Sequence, residues 1–246
     1  MAEDLQLLDS ALHRDLRMHA IGGQRPNMVQ IVLAEVPHAA TICPVLLAKS
    51  PETGQFSLVA LLGFTMGEWL VDGAEAGLPA FLPLDLQRQG FYAAGENIAI
   101  DRAHPRFADG AAVALFDAHG EATPAMRKVQ QAIGQLMAMG PPTQAFIDAA
   151  VALRLVEPID IELQFDDGAG ITLNGLYTIS GDALSDLDDA DIVRLFRQGW
   201  LQAAIAIRNS VHQIGTLARR RNESTGGRAT AGATGAPLGK ALAGWA

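Results

Sequence analysis

The sequence is poor in cysteine, since Cys43 is the single one among 246 residues. One cysteine cannot form an internal disulfide, and it cannot build a metal site that needs two thiolates from the same chain. A fold held together by disulfides is therefore excluded, and a reducing compartment fits best. Residues 1–16 (MAEDLQLLDSALHRDL) lack the basic start and the apolar core of a secretory signal, so we expect a cytoplasmic protein.

Long hydrophobic runs and positive charge are also scarce. The longest apolar runs, such as residues 58–64 and 203–207, are far shorter than the ~20 residues that a membrane-spanning helix requires. There are 18 basic and 27 acidic residues, which gives a net charge of −9. This is the wrong sign for a protein that binds by neutralising phosphates, so we expect neither a membrane span nor a nucleic-acid partner.

The common motifs of catalysis and metal binding are missing. The sequence has no GxSxG serine motif, and its six histidines show no HxH or HExxH spacing. Residues 186–191 (DLDDAD) do not continue as a calcium loop, because glycine and the final glutamate are absent where such a loop needs them. Residues 235–240 (GAPLGK) are one residue short of a phosphate-binding loop. We predict no metal site and no cofactor.

Short β-rich runs separated by turn residues fill the first half of the chain. Runs at residues 28–33, 44–48 and 56–62 predict strands, and further short strands are predicted at residues 69–71 and 111–116. Turn sequences such as PETG lie between them, so the pattern predicts an antiparallel meander.

Two stretches of this half are less regular. The periodicity of residues 9–19 leaves a short helix and an extended arm equally open. Residues 77–86 (GLPAFLPLDL) hold too much proline for a helix interior and predict a buried, irregular connection.

Residues 89–106 predict a hairpin that ends in a charged corner. Gly95 supplies the turn, and Asp101, Arg102, His104 and Arg106 follow the second strand. Asp101 and His104 are candidates for an acid/base pair, because a neighbouring carboxylate can hold an imidazole near neutral pH.

The same corner also offers ligand-binding candidates and a simpler structural interpretation. Arg102 and Arg106 could bind a carboxylate or phosphate if their side chains converge, and Tyr92 is a further ligand-binding candidate. The structural alternative is an ordinary charged strand end, in which Asp101 caps a turn.

The periodicity changes to that of helices after residue 122. Thr123 followed by Pro124 predicts a helix start, and the helix is predicted to end at Gly140 because residues 141–142 (PP) cannot continue it. Thr143 is then predicted to cap a second helix.

The end of the chain adds a hairpin and further helices. Residues 159–165 and 171–180 alternate as paired strands do. Ser185 and Asp188 resemble a capping box at the start of the next helix, and residues 200–221 predict a last helix.

Together these segments predict an α+β fold, with antiparallel hairpins in the first half and helices plus one hairpin packed on the sheet in the second. Residues 1–223 are expected to form a single domain. Residues 224–246 are rich in glycine, alanine and threonine, which predicts a low-complexity, mobile tail.

Other side chains leave two interpretations open. Cys43 is either a nucleophile or a small buried hydrophobic residue. The last helix carries Leu201 and Ile205 beside its main apolar stripe, which leaves room for a homodimer or partner surface. Aromatic residues can line a partner-binding groove or belong to the core, and this applies to Trp69, Phe81, Phe91, Tyr92 and Trp200.

Several short segments, taken in this order, resemble the bacterial SapC family from His13 to Leu217. They are HRDLR (13–17), EVPHAA (35–40) with Pro44-Val45, VALLG (59–63) with Gly67-Glu68, LPAF (78–81), LFD (115–117) with Gly120, GLY (175–177) and GWL (199–201). Cys43 and Leu47 depart from the pattern, since related proteins tend to have aromatic residues there.

The resemblance implies an accessory role and supplies no catalytic residues. Similar proteins are often encoded near TonB-dependent receptors, flavin-dependent tryptophan halogenases and cupin-like hydroxylases, which points to uptake, export or peptide modification. We therefore expect a non-catalytic accessory or binding protein with a peptide or protein partner. The alternatives are a small enzyme or ligand-binding protein that uses the charged corner, and a purely structural dimer component.

Overall fold

A computed structural model of the chain describes residues 5–19, 25–71 and 81–225. Its strands are β1 (Leu5–Leu7), β2 (Arg17–Met18), β3 (Met28–Gln30), β4 (Val45–Lys49), β5 (Phe56–Leu61), β6 (Phe91–Ala94), β7 (Asn97–Asp101), β8 (Val113–Ala114), β9 (Val156–Gln164) and β10 (Gly170–Ile179). Its α-helices are α1 (Val36–Ala39), α2 (Leu84–Gln87), α3 (Pro124–Ala152), α4 (Gly181–Ser185), α5 (Asp189–Arg197), α6 (Trp200–Ser210) and α7 (Gln213–Thr225). The fold is α+β, as the sequence predicts.

A five-stranded antiparallel sheet, in the order β3-β5-β4-β10-β9, forms the centre of the molecule. The two predicted hairpins, β4–β5 and β9–β10, are both present, and β10 joins them by pairing Leu176 with Ala48 and Tyr177 with Leu47. Three successive residues of β4, Val45, Leu46 and Leu47, are fully buried. A strand that is buried on both faces reads as a continuous apolar run, which is the sequence that β4 has.

Two smaller sheets lie beside the main one. The first has three strands in the order β1-β7-β6, and the second pairs β2 with β8. They share a small cluster of buried side chains that includes Phe91, Ile100 and Leu115, which is separate from the main cluster around the five-stranded sheet. The predicted hairpin at residues 89–106 is therefore confirmed, and it belongs to the small cluster.

Helix α3 packs against both clusters, and here the predicted helix break is wrong. Thr123 caps α3 as predicted, with its Oγ1 accepting a hydrogen bond from the Met126 N–H (3.2 Å). The helix then continues through Pro141 and Pro142 to Ala152. Thr143 is not a cap, since its hydroxyl donates to the Met139 carbonyl (2.6 Å) and accepts from the Leu33 N–H (2.8 Å).

Burial along α3 explains why the helix continues through the prolines. Its first half buries side chains in the small cluster and its second half buries side chains in the main cluster. The residues are Met126, Val129 and Ile133 for the first half, and Phe146, Ile147 and Ala150 for the second. Such burial contributes more than the ~3 kcal/mol that a proline costs in a helix interior.

Two strand predictions in the first half need correction. Residues 69–71 do not form a strand, although the Leu70 N–H donates to the Leu62 carbonyl (2.8 Å) as a strand residue would. The strand predicted at residues 111–116 shortens to Val113–Ala114, followed by an isolated bridge between Phe116 and Ala122. The ladder in the second segment covers only two residue pairs, Arg17–Ala114 and Met18–Val113.

Two further segments of the first half differ from regular strands or helices in their sequence patterns. The stretch predicted as a buried, irregular connection, residues 77–86, lies in part outside the described residues, and its end forms α2. Residues 9–19 form neither of the two predicted alternatives, a short helix or an extended arm, because successive turns lead into β2.

The carboxyl-terminal helices also differ from the prediction. Ser180 caps α4 and Asp188 caps α5, so Ser185 does not form the predicted capping box. The predicted last helix consists of two, because α6 ends at Ser210 and α7 begins at Gln213. The predicted mobile tail lies outside the described residues apart from the last residues of α7. Among the described helices, none has the length and hydropathy of a membrane span.

Candidate functional site

The charged corner is fixed by a close approach at Gly90, immediately before β6. Gly90 has a φ of +81°, and a Cβ at this position would lie 3.0 Å from Phe107 Cε2 and 3.1 Å from His104 Nδ1. Glycine is therefore required both by the backbone conformation and by the available space. The segment after β7 folds back tightly onto the start of β6.

Asp101 and His104 organise this turn. The Asp101 carboxylate accepts a hydrogen bond from the Ala103 N–H (3.1 Å), and the Asp101 carbonyl accepts one from the His104 N–H (3.0 Å). His104 Nδ1 accepts a hydrogen bond from the Arg106 N–H (3.1 Å), which places the proton of the neutral ring on Nε2. Burial lowers the pKa of His104, Asp101 partly offsets that effect, and Arg106 adds to it. Asp101 and His104, the candidate acid/base pair, therefore also stabilise the loop that follows β7.

Arg106 points into the protein. Its Nη1 donates to the carbonyls of Gln87 (2.6 Å) and Gln89 (2.9 Å), and its Nε donates to the His19 carbonyl (3.3 Å). The guanidinium carbon lies 5.3 Å from the centre of the Phe91 ring, and the residue is 2% exposed. Burial lowers the pKa of Arg106 to about 10, so the side chain stays charged at neutral pH. Arg106 connects three separate segments of the chain.

Arg102 and Tyr92 have different surroundings from Arg106. Arg102 is exposed, and its guanidinium carbon lies 6.0 Å from the centre of the Phe107 ring. Tyr92 is half-buried on β6, with Arg88 packed over its ring at 5.6 Å. The structure therefore gives the two predicted ligand-binding arginines opposite environments, one buried among backbone carbonyls and one at the surface.

Arg102 lines an open groove of about 960 Å³, which we call the arm groove. One side consists of β1 and the turns that follow it, and the other consists of the loop between β7 and β8. The lining residues are Gln6, Leu7, Leu12, His13, Asp15, Leu16, Arg17, Arg102, Phe107 and residues 108–111.

Local hydrogen bonds shape the side of the arm groove that consists of the turns after β1. The Asp9 carboxylate accepts from the N–H groups of Ala11 (2.8 Å) and Leu12 (2.9 Å), and these bonds lower the pKa of Asp9. The buried His13 ring lies against the same turn, because its Nδ1 is 3.0 Å from the Asp9 nitrogen. Its Nε2 lies 3.5 Å from Gln6 Oε1, which links the turn to β1. The turns after β1 are therefore a folded part of the protein.

The groove includes residues that the site prediction missed. His13, Asp15 and Arg17 line it, yet the sequence leaves the conformation of this stretch open. A signal was present, because residues 13–17 also carry part of the family resemblance. Residues 12–17 except Arg14 line the groove, and the turns that bring them together cannot be read from the sequence periodicity.

The chemistry of the groove is mixed. Arg17 and Arg102 bring positive charge, and Asp15 and Asp109 bring negative charge. Leu7 is 59% exposed and Leu12 is 83% exposed, although apolar side chains of this size are usually covered. Such a surface can bind a partner through apolar contacts and charged hydrogen bonds.

Cys43 and four of the aromatic candidates lie in or against the two hydrophobic clusters. Burial raises the pKa of the Cys43 thiol to about 12, which opposes formation of a nucleophilic thiolate. Phe81 and Phe91 are buried, while Trp69 and Trp200 pack against the main cluster. In the described ranges, no three His, Cys, Asp or Glu side chains come together as metal ligands would.

Comparison with models of protein families gave a match. The family model SapC matches residues 8–217, which is most of the chain and includes most of the arm groove. Neither a curated protein nor a solved structure matched the chain.

Proposed function

Because the chain belongs to the SapC family, as the match over residues 8–217 shows, we propose that it is a non-catalytic accessory or binding protein that recognises a peptide or protein segment in the arm groove. The observation that carries this proposal is the groove itself, with its exposed leucines and exposed arginine. Exposed apolar side chains next to an accessible guanidinium are typical of surfaces that bind polypeptides.

The bonding of the nearby ionisable groups supports binding over turnover. Asp101, His104 and Arg106 make hydrogen bonds that hold the loop and its neighbours together. A general acid or base must reach the substrate with the atom that exchanges the proton. His104 Nδ1 already accepts a backbone N–H, so one of its two ring nitrogens is committed to the fold.

We place this binding role in an envelope-related uptake or export system, or in a peptide-modification system, of a bacterial cytoplasm. The family resemblance supports this setting through the genes that often lie beside its members. The partner would then be a receptor, exporter or modifying enzyme, or the peptide on which such an enzyme acts.

Capture of partners with a groove variant tests the proposal. The baits are the wild-type protein, Leu12→Asp in the groove and Met137→Asp as a matched control, since Met137 is an exposed apolar residue on α3 away from the groove. We expect the proteins recovered from native lysate by the wild type to be depleted at least about tenfold with Leu12→Asp, as for the loss of an interface anchor. They should remain with Met137→Asp. Equal recovery by both variants would refute the arm groove as the binding site.

A small enzyme or ligand-binding protein working at the corner of Asp101, Arg102, His104 and Arg106 is the second candidate. It is favoured by the electrostatic coupling between Asp101 and His104, because Asp101 opposes the effect of burial on the pKa of His104. The test is turnover of a defined small molecule by the purified protein. Turnover that disappears in His104→Gln while folding is retained would establish this alternative over the first.

A homodimer through the last helices is a separate part of the proposal. Ile205 on α6 is 44% exposed, and α5 adds the exposed residues Val193 and Phe196. Sedimentation velocity at several concentrations should show a dimer that Ile205→Lys dissociates. A wild-type protein that stays monomeric at about 100 µM, well above the dissociation constants of stable dimers, would end this proposal.

A further inference from the structure

Strand β1 borders the arm groove and is the terminal strand of its sheet. In the described part of the chain it pairs with β7 alone, in the register Leu5–Asp101, Gln6–Ile100 and Leu7–Ala99. The Leu8 N–H donates to the Ile98 carbonyl (2.8 Å). Bonded pairs alternate along antiparallel strands, so Gln6 bonds to β7 while the N–H and C=O groups of Leu5 and Leu7 point to the outer edge.

The outer edge of β1 carries neither proline nor a charged residue within its three positions. Strand β9, at the edge of the main sheet, presents the exposed residues Pro158, Asp160 and Glu162. Proline and charged residues on an edge prevent pairing with another chain. β1 reads Leu-Gln-Leu, and its two leucines are 56% and 59% exposed. No proline or charged side chain within β1 opposes pairing with another strand.

The exposed Arg102 beside this edge favours an acidic residue in the neighbour. Arg102 directly follows Asp101, the residue paired with Leu5, so it lies at the end of β1. Its guanidinium is exposed and packs over Phe107, and within the described ranges no hydrogen bond fixes it. A guanidinium held on an aromatic ring in this way can bind a carboxylate through two parallel hydrogen bonds.

We propose that β1 accepts an extended segment of a partner protein as a fourth strand of the small sheet. The segment has apolar residues at alternate positions, which pack on Leu5, Leu7 and Leu12, and an acidic residue that pairs with Arg102. This inference rests on the proposed function and specifies how the arm groove recognises its partner. Main-chain hydrogen bonds provide the affinity in such strand addition, and the side-chain contacts provide the specificity.

A second copy of this chain fits the edge less well. Symmetric pairing of two three-residue strands extends only about 10 Å. A stable dimer buries roughly 800 Å² on each partner, which so short a pairing does not approach. A flexible peptide, in contrast, can pair with β1 and continue along the groove.

Selection from a random 12-residue phage library against the full-length protein tests the proposal. We expect enriched peptides with alternating apolar residues and an acidic residue, with binding measured by fluorescence anisotropy. Leu7→Pro removes the outward N–H without removing a bond to β7, and Leu7→Ala keeps that N–H. The expected loss of affinity is at least tenfold for Leu7→Pro and less than that for Leu7→Ala. Arg102→Gln should weaken binding and reduce its dependence on salt.

Peptide variants give a second test that uses the wild-type protein only. N-methylation of the peptide residues whose N–H groups face β1 should abolish binding, while N-methylation at the intervening residues should change it less than threefold. A library that yields no binder, or binders insensitive to both Leu7→Pro and N-methylation, overturns the proposal. A wild-type dimer that Leu7→Pro dissociates would also overturn the proposal.

Strand addition at β1 and the arm groove as a binding site are contradicted by different results. If strand addition is wrong but the groove binds a partner, Leu12→Asp abolishes binding and the N-methylated peptides bind as well as the parent. If the groove is not a binding site, Leu12→Asp and Leu7→Pro both leave binding of the captured partner unchanged.

Discussion

Arg102 and Arg106 lie on one short loop but should respond very differently to the same substitution. We expect Arg106→Met to lower the free energy of unfolding by about 2–4 kcal/mol, because three part-buried backbone carbonyls lose the donor that the buried guanidinium supplies. Arg102→Met should change it by less than about 0.5 kcal/mol, as is usual for an exposed side chain. Urea denaturation of both variants provides the measurement. Equal losses would show that Arg106 does not have the structural role assigned to it.

Cys43 should be inert in the folded protein. Its pKa is raised to about 12 by burial, and at pH 8 only about one thiol in ten thousand is then the reactive thiolate. We expect a thiol reagent such as iodoacetamide to label the native protein at least ~100-fold more slowly than the urea-unfolded protein. Mass spectrometry of timed samples measures both rates. Rapid labelling of the native protein would contradict the burial of this thiol.

At the scale of the element, α3 shows how tertiary packing overrides a strong local signal. Gly140 and the two prolines after it predict a helix end, because glycine favours the position just past a helix and proline cannot continue one. The helix continues because each half is anchored in a different hydrophobic cluster. Local propensity is a difference of a few kcal/mol, and burial of several apolar side chains exceeds it.

Gly140→Ala distinguishes a continuous α3 from an interrupted one, and Gly199→Ala serves as its comparison at a glycine outside α3. Gly140 has open space where a Cβ would lie and no positive φ, so Gly140→Ala should stabilise the protein by about 0.5–1 kcal/mol. Gly199 has a φ of +72°, so Gly199→Ala should destabilise it by about 1–2 kcal/mol. Thermal and urea denaturation measure both changes. A destabilising Gly140→Ala would indicate that the helix ends where the sequence predicts.

At the scale of the whole molecule, α3 should make the two clusters unfold together. Met126 is buried in the small cluster and Ile147 in the main cluster, and both lie on the same helix. We expect Met126→Ala and Ile147→Ala each to lower the free energy of unfolding by about 2–5 kcal/mol and to shift one common transition. Hydrogen exchange followed by mass spectrometry reports each cluster separately. Loss of protection confined to the substituted cluster would show that the clusters unfold independently.

The sequence by itself determined the features that depend on neighbouring residues. The cap at Thr123 needs only a hydroxyl three residues before an N–H, and the β9–β10 hairpin needs only alternation and a turn. The turn at Asp101 is of the same kind, since its carboxylate bonds to a backbone group two residues away. These interactions lie within a few residues, so their pattern can be read from the printed chain.

Only the tertiary structure decided what distant segments do to one another. The pairing of β10 with β4 and the continuity of α3 both depend on burial that is shared between remote parts of the chain. The same holds for the site: Arg106 is buried against carbonyls of His19 and Gln87, whereas Arg102 meets the arm groove. In the sequence alone, Arg102 and Arg106 have the same side chain and cannot be told apart. Their opposite roles follow from which side of the loop the rest of the molecule covers, because burial is a property of the packed whole.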